Sequence, residues 1–456
     1  MNGGNCLYPK DLNDVSLPTD MLSQSSLLRR IKRCSITNYR WILCRLFADT
    51  RVGRFLDEAL SYYEDTCFMP LRVRSWDLGD EFFKARIDAV QYLRDEFGVR
   101  EPSSVSGIDI KSGKVQTHLI PFSSFYYNGF HALRCTSEGR PVSFADGGKS
   151  SQNETTINDR FLLQFATDAF VTGFICEKDF HEECLQKVQE SDDEIENCAV
   201  LANHLFSRLT APSIGKTYYV NDTKHKPNEC PCSRRCGDKI IYDSRGFGSE
   251  LLWYGRPDIM LFPMGGVHCS IIIPPKVDED LEASVDGNHE FIYDRLDKEV
   301  KKETSILRDR HNKARIIACC ITLSMYQKLL QTKQSPFSKV TMTPVIATSG
   351  DSFDIYLYDP VHDILLRNCG DPIPLWDVPS VKSPLYKLKL SSVVKLWMVI
   401  NHLSMQPSLS ADDTKVLSGS GGFVSHLSKD CLSNIESTLK MKNRFSPIND
   451  EEFNFK

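Results

Sequence analysis

Apolar residues return at helical spacing from Ser26 to Phe97, first at Leu27, Leu28 and Ile31 and later at Phe82, Phe83, Ile87, Val90 and Leu93. One face of each turn is then hydrophobic, which predicts an α-helical N-terminal region. The polar, turn-rich residues 1–25 before it read as an irregular arm. After the linker EPSSVSG, the aromatic and β-branched stretch THLIPFSSFYYNGFHAL predicts a short β patch. The stretch EGRPVSFADGGKSSQNETT, rich in Gly, Ser and Asn, predicts a surface loop. Residues 101–157 therefore form a linker and loop-rich segment.

The pattern is more regular from 158 onward. SDDEIENCAVLANHLFSRL has helical spacing and acidic residues where a helix N-terminus favours them, so a helix ending near Thr210 is expected. Strands are expected at SELLWYG, PDIMLF and HCSIIIP, followed by a charged loop from Val277 to about Glu303 and a helix over Ser305–Gln331. Two further strands, TPVIATS and DSFDIYLYD, precede a helical stretch from Leu388 to Leu403. Residues 158–405 thus predict a mixed α/β domain, a sheet flanked by helices, and 406–456 a mobile polar tail.

Composition narrows the class. With 456 residues, 41% hydrophobic and 25% charged, the chain has the make-up of a globular protein larger than one core usually organises. A formal net charge of −5 gives no global basic field, so contact with DNA or RNA would rest on local patches. Two such patches are 29–45, which interleaves six basic residues with Tyr39 and Trp41, and 224–239, KHKPNECPCSRRCGDK. A solvated helical face accounts for the first patch more simply. MNGGNCLYPKDLND has neither the basic start nor the apolar core of a secretory signal, and no apolar run has the length of a membrane span. An intracellular, cytoplasmic or nuclear protein with reduced thiols is expected.

The stretch GRPDIMLFPMGGVHCSIIIPPK carries the candidate chemistry. Asp258 opens one strand and Lys276 follows the next, eighteen positions on (276 − 258). With a helix before the strands and a long helix after them, the arrangement resembles the PD-(D/E)XK, or restriction-endonuclease-like, nuclease superfamily. The resemblance implies a mixed sheet, a Mg²⁺-binding acid at Asp258 and a water-activating or charge-stabilising lysine at Lys276. It further implies a polar contact to phosphate from the long helix, where Arg315 stands. The pattern breaks at the second carboxylate, whose position holds Pro274. Replacement ligands would come from Glu279 or Glu282 in the following loop, or from Glu194 or Glu196 on the preceding helix. The expectation is a divergent nuclease-like protein, its site more readily degenerate than active. The alternative is a non-catalytic module binding nucleic acid or protein.

Cys230, Cys232 and Cys236 cluster within seven positions. Loop thiols without metal explain the close Cys-x-Cys spacing most simply, their reactivity raised by Arg234 and Arg235. A Zn²⁺ site would need a fourth ligand, from His225 or from Cys176, His181 and Cys184 in CEKDFHEEC. His181-Glu182-Glu183-Cys184 lacks the second histidine of a metalloprotease helix, and Gly265-Gly266 reads as a turn.

Overall fold

The computed structural model describes residues 50–61, 63–71, 106–108, 115–140, 142, 157–191, 193–211, 217–222, 226–243, 246–249, 254–262, 269–272, 310–334, 341–377, 385–424 and 427–441. The chain divides into two compact units, Met1–Asp49 and Thr50–Lys456, and every described residue belongs to the second. The arm, the basic patch 29–45, Lys276, Glu279 and Glu282 fall outside the described residues.

The principal helices are α1 (Thr50–Ser61), α2 (Tyr127–Ser137), α3 (Ile157–Gly173), α4 (Lys178–Glu190), α5 (Glu194–Leu201), α6 (Arg310–Gln334), α7 (Leu390–Ile400), α8 (Ala411–Leu417) and α9 (Lys429–Thr438). The main sheet is built from β1 (Cys67–Leu71), β2 (Ile120–Pro121), β3 (Tyr218–Asn221), β4 (Tyr242–Asp243), β5 (Ile259–Leu261), β6 (Cys269–Ile272), β7 (Thr343–Thr348), β8 (Ser352–Asp359), β9 (Ile364–Asn368) and β10 (Ile373–Pro374). Its order is β2-β1-β9-β8-β7-β6-β5-β3-β4, with β10 paired to β8. The fold is therefore mixed α/β.

Directions within the sheet follow the connections. β3 runs antiparallel to β5, and β5 antiparallel to β6, in the register Ser270↔Met260. β6 and β7 are parallel, with Ser270 opposite Val345. A parallel pair needs a crossover, and α6 is the helix between them in sequence. The β7–β8–β9 meander is antiparallel, as short connections allow.

Both faces of the sheet are buried. On one face Tyr219, Met260, Val345, Ala347, Tyr356 and Tyr358 pack with Ile316, Ile317, Cys319, Cys320 and Leu323 of α6. The alternate positions Val220, Ile259, Leu261, Ile346, Ile355 and Leu357 are equally inaccessible. A strand covered on both sides cannot alternate polar with apolar, which is why TPVIATS and DSFDIYLYD read as near-continuous runs. Asp354, at 0% exposure, interrupts the apolar run and is satisfied within the sheet. Arg367 donates Nη2–H to its Oδ2 at 3.2 Å, and Asn368 donates Nδ2–H to Oδ1 at 2.9 Å.

Several expectations change. Cys67–Leu71, inside the expected helical region, is a strand paired with β9. Pro70 removes a donor that a helix interior requires, and the long-range pairing prevails. The aromatic stretch 117–133 forms β2 and then helix, Phe122–Phe125 and α2, in place of a β patch. Its buried residues Phe122, Phe125, Tyr126, Gly129, Ala132 and Leu133 recur at helical spacing. A Cβ on Gly129 would stand 3.0 Å from Met398 of α7, so the absent side chain allows that approach. Of SELLWYG, residues 250–253 lie outside the described residues, and Tyr254–Gly255 is a strand in a small sheet with Phe247–Gly248 and Lys440–Met441. On the side away from β6, β5 pairs with β3, in a stretch where the sequence predicts no element. Within 406–456, α8 and α9 are helical and bring Ile435 and Leu439 into the core.

Asp168 on α3 accepts from Gln164 Nε2 at 2.6 Å. Burial pushes its carboxyl up from 3.8 to about 7, the Gln164 bond offsetting only part of the shift. The folded state then holds a proton that the unfolded chain has released, so this stability is present below about pH 4 and lost as pH rises to about 7. Asp168→Asn is expected to leave the melting temperature unchanged at pH 4 and to stabilise by roughly 1–3 kcal/mol at pH 8. Equal melting shifts at both pH values in thermal unfolding would contradict this.

Candidate metal centre

Asp193 caps α5, its side chain accepting from the N–H groups of Ile195 at 2.8 Å and Glu196 at 3.1 Å. The helix then widens into a π turn, Ala202–Phe206, before closing in Ser207–Leu209. Such turns re-aim side chains, and this one carries Asn203 and His204, both buried. The freed carbonyl of Asn203 accepts from Ser207 Oγ at 2.8 Å and Arg208 Nε at 3.2 Å.

Opposite the π turn lies the segment 226–241, which has no regular element. Its two limbs are tied by a bridge between Glu229 and Lys239 and by Cys230 N–H donating to Asp238 O at 2.8 Å. The tip reverses through left-handed backbone at Arg235 (φ 47°) and Gly237 (φ 78°). Glycine adopts that conformation without cost, and arginine at some strain. The turn directs Cys236 N–H at Cys232 Sγ, 3.4 Å away.

Among the described residues, His204, Cys230, Cys232 and Cys236 hold their donor atoms within 4.8 Å of one another. His204 Nε2 is 3.5 Å from Cys236 Sγ. Three thiols and an imidazole around one point could hold a metal ion. Tetrahedral Zn²⁺, with bonds of about 2.3 Å to sulfur and 2.0–2.1 Å to nitrogen, sets donor separations of roughly 3.5–3.8 Å. The observed spacing needs only a small contraction to meet that.

The surroundings keep the imidazole neutral and act on the thiols in both directions. His204 is neutral, burial and the Arg208 charge pushing its pKa down to about 4. Burial, Arg208 and His204 likewise push His181 down to about 3. Burial raises the Cys230 and Cys236 thiols. Burial acts the same way on Cys232, but hydrogen bonds from Cys236 and Cys184 outweigh it and leave this thiol below its ordinary value. Arg208 pairs with Asp238 at 3.3 Å and Arg234 with Glu183 at 2.6 Å, fastening the segment to α5 and α4.

Of the three expected thiols, all are in the group. The fourth member is His204, which the sequence reading did not nominate. Within the apolar run AVLANHLF a histidine reads as core, and its only signal is its place on the helix upstream of the cysteines. Cys176 is exposed and outside the group, and His225 is outside the described residues. His181 and Cys184 lie directly behind it.

The candidate acidic site is separated by one strand pair. Asp258 is half-buried at the head of β5, its carbonyl accepting from Asn221 N–H at 2.8 Å and Cys198 Sγ–H at 3.6 Å. After burial, the charges of Asp258 and Glu194 both raise the Cys198 thiol, so the two acids share its neighbourhood. Glu196 is engaged elsewhere, 2.9 Å from Lys187 Nζ and 3.1 Å from Ser191 Oγ. Arg315 is in α6, and its side chain is outside the described residues. In the basic segment 224–239, Lys226 pairs with Asp222 and lies 5.1 Å from the centre of the Tyr242 ring. No helix among the described residues is long and apolar enough to cross a membrane. Comparison with family models, curated proteins and solved structures returns no match.

Titrating the reduced chain with Co²⁺ is expected to give thiolate-to-cobalt charge-transfer absorption. Cys232→Ser should abolish it. Cys135→Ser should keep it, since that thiol sits 3.4 Å from His131 on α2, outside the group. Absorption indifferent to Cys232→Ser would exclude the group as the binding site.

Proposed function

We propose that the chain is a divergent restriction-endonuclease-like protein, a scaffold that binds nucleic acid rather than cutting it, with a structural Zn²⁺ at the His204–Cys230–Cys232–Cys236 group. The observation that carries the fold reading is the order α5, β3, β5, β6, α6, β7. Its three strands are successively antiparallel, and its fourth is parallel to the third across a helical crossover. Within that order, the helix, the strands β5 and β6 and the long helix are the part that the resemblance of GRPDIMLFPMGGVHCSIIIPPK implies. Support for zinc lies in the donor set itself, three thiols with one imidazole, which favours Zn²⁺ over Mg²⁺ and Ca²⁺.

Binding is favoured over hydrolysis because Pro274 occupies the position of the second carboxylate and offers no oxygen ligand. The basic segment 224–239, at the edge of the sheet through β4, supplies the electrostatic contact.

A second reading rests on the neighbourhood that Glu194 and Asp258 share around Cys198. Glu194 would there replace the missing acid and, with Asp258, hold Mg²⁺, which supplies charge stabilisation for phosphodiester hydrolysis. Lys276 would steady the developing phosphate charge, and Arg315 would bind phosphate.

Purified chain is expected to contain about one zinc by elemental analysis and to bind single- or double-stranded nucleic acid with an affinity that falls as salt rises. Cleavage in Mg²⁺ should not exceed that of Asp258→Ala. Zinc far below one per chain removes the metal reading, and salt-independent or absent binding removes the nucleic-acid reading. Mg²⁺-dependent cleavage lost in both Asp258→Ala and Glu194→Ala would replace it with the hydrolytic one.

A further inference from the structure

His181 and Cys184 are one helical turn apart on α4, so their side chains leave the helix on the same face. Both have 0% exposure, and that face meets the metal-binding group. His181 Nδ1 is 3.2 Å from His204 Nδ1. The Asn203 amide Nδ2 stands 3.3 Å from His204 Nε2 but also donates to Asp238 Oδ2 at 3.2 Å, so it does not require the imidazole lone pair. With the His204 proton on Nδ1, donated to His181, the Nε2 lone pair is left facing Cys236.

The His181 ring is held for this task. Phe174 stacks on it at 6.0 Å between centroids, and Phe180 meets it edge-on at 5.5 Å. Its other nitrogen, Nε2, lies 3.5 Å from Glu177 Oε2. A line of groups therefore runs from His181 to His204 and on to the thiols. Three residues along α4, the Cys184 thiol makes a hydrogen bond with Cys232, and the Cys184 carbonyl accepts from Ser233 N–H at 3.4 Å.

From this arrangement, and resting on the zinc reading above, we infer that α4 supplies the outer shell of the metal centre. His181 and Cys184 act as positioning residues. His181 fixes the ring and tautomer of the imidazole ligand. Cys184 donates S–H to the Cys232 thiolate and offsets part of its charge. Metal-bound imidazoles and thiolates are commonly oriented this way, and loss of an outer partner lowers metal affinity by about 10–100-fold. The first shell comes from a π turn and an irregular segment, neither rigid by itself. One regular helix behind them supplies the rigidity.

The test uses the zinc-loaded full chain and the rate at which zinc passes to a chromogenic chelator, with the cobalt-substituted protein as a spectroscopic control. Cys184→Ala and His181→Phe are each expected to lose zinc about 10–100-fold faster than the parent. Cys184→Ser retains a donor and should release zinc at the parental rate. His181→Gln retains an acceptor and should fall between His181→Phe and the parent. The cobalt charge-transfer intensity should be the same in all, because no ligand is removed.

Parental zinc retention in Cys184→Ala and His181→Phe overturns the inference. So does a drop in charge transfer in Cys184→Ser, which would make Cys184 a ligand. Should Cys184→Ala not fold, the comparison of Cys184→Ser with His181→Gln decides by the same criteria. A parent chain that binds neither zinc nor cobalt defeats the underlying zinc reading, an outcome seen before any variant is compared.

Discussion

The segment 226–241 must bury Cys230 and Cys232 without a ladder or helix to satisfy its backbone, and this constraint organises one edge of the molecule. A single bridge and a few turn bonds tie its limbs together. Such a coil does not by itself overcome the entropy of ordering some sixteen residues, at about 1–2 kcal/mol each. Convergence of four donors on one point offers the missing term, since metal binding to a site absent from the unfolded chain contributes directly to folding. Order in the segment then passes into the sheet. Val220 N–H donates to Ile241 O at 2.8 Å and Asp222 N–H to Asp243 O at 3.1 Å, setting β4 beside β3. β3 in turn donates from Asn221 to the carbonyl of Asp258. The candidate metal centre and Asp258 are thus three short steps apart along hydrogen-bonded backbone.

The rest of the sheet is held differently. Its two faces are sealed by apolar packing, and the Asp354 carboxylate sealed with them is matched by Arg367 and Asn368 from the neighbouring strand. That separation gives a rigid centre with chemistry confined to the edge and to the strand ends.

Much of the sheet was legible in the sequence because its signals are local. TPVIATS and DSFDIYLYD are apolar runs too short for helices and match β7 and β8 closely. The long helix appears as Arg310–Gln334 against an expected Ser305–Gln331. The failures share a cause, since each depended on a distant partner. Cys67–Leu71 becomes a strand by pairing with residues some three hundred positions on, and Tyr218–Asn221 by pairing with β5. THLIPFSSFYYNGFHAL has strand-like composition, yet most of it packs as helix, with Gly129 close against Met398. The three cysteines of the metal-binding group were visible as a cluster, whereas His204 was not. Its role comes from a π turn that no local pattern announces, and from a loop that folds back onto it.

The central claim is that one Zn²⁺ joins the helix carrying His204 to the loop carrying the three thiols. X-ray absorption at the zinc edge of the purified, reduced chain tests it most directly. The account predicts a first shell of three sulfur atoms at about 2.3 Å and one nitrogen at about 2.0–2.1 Å. A shell of oxygen and nitrogen atoms alone, or four sulfurs with no nitrogen, would contradict it.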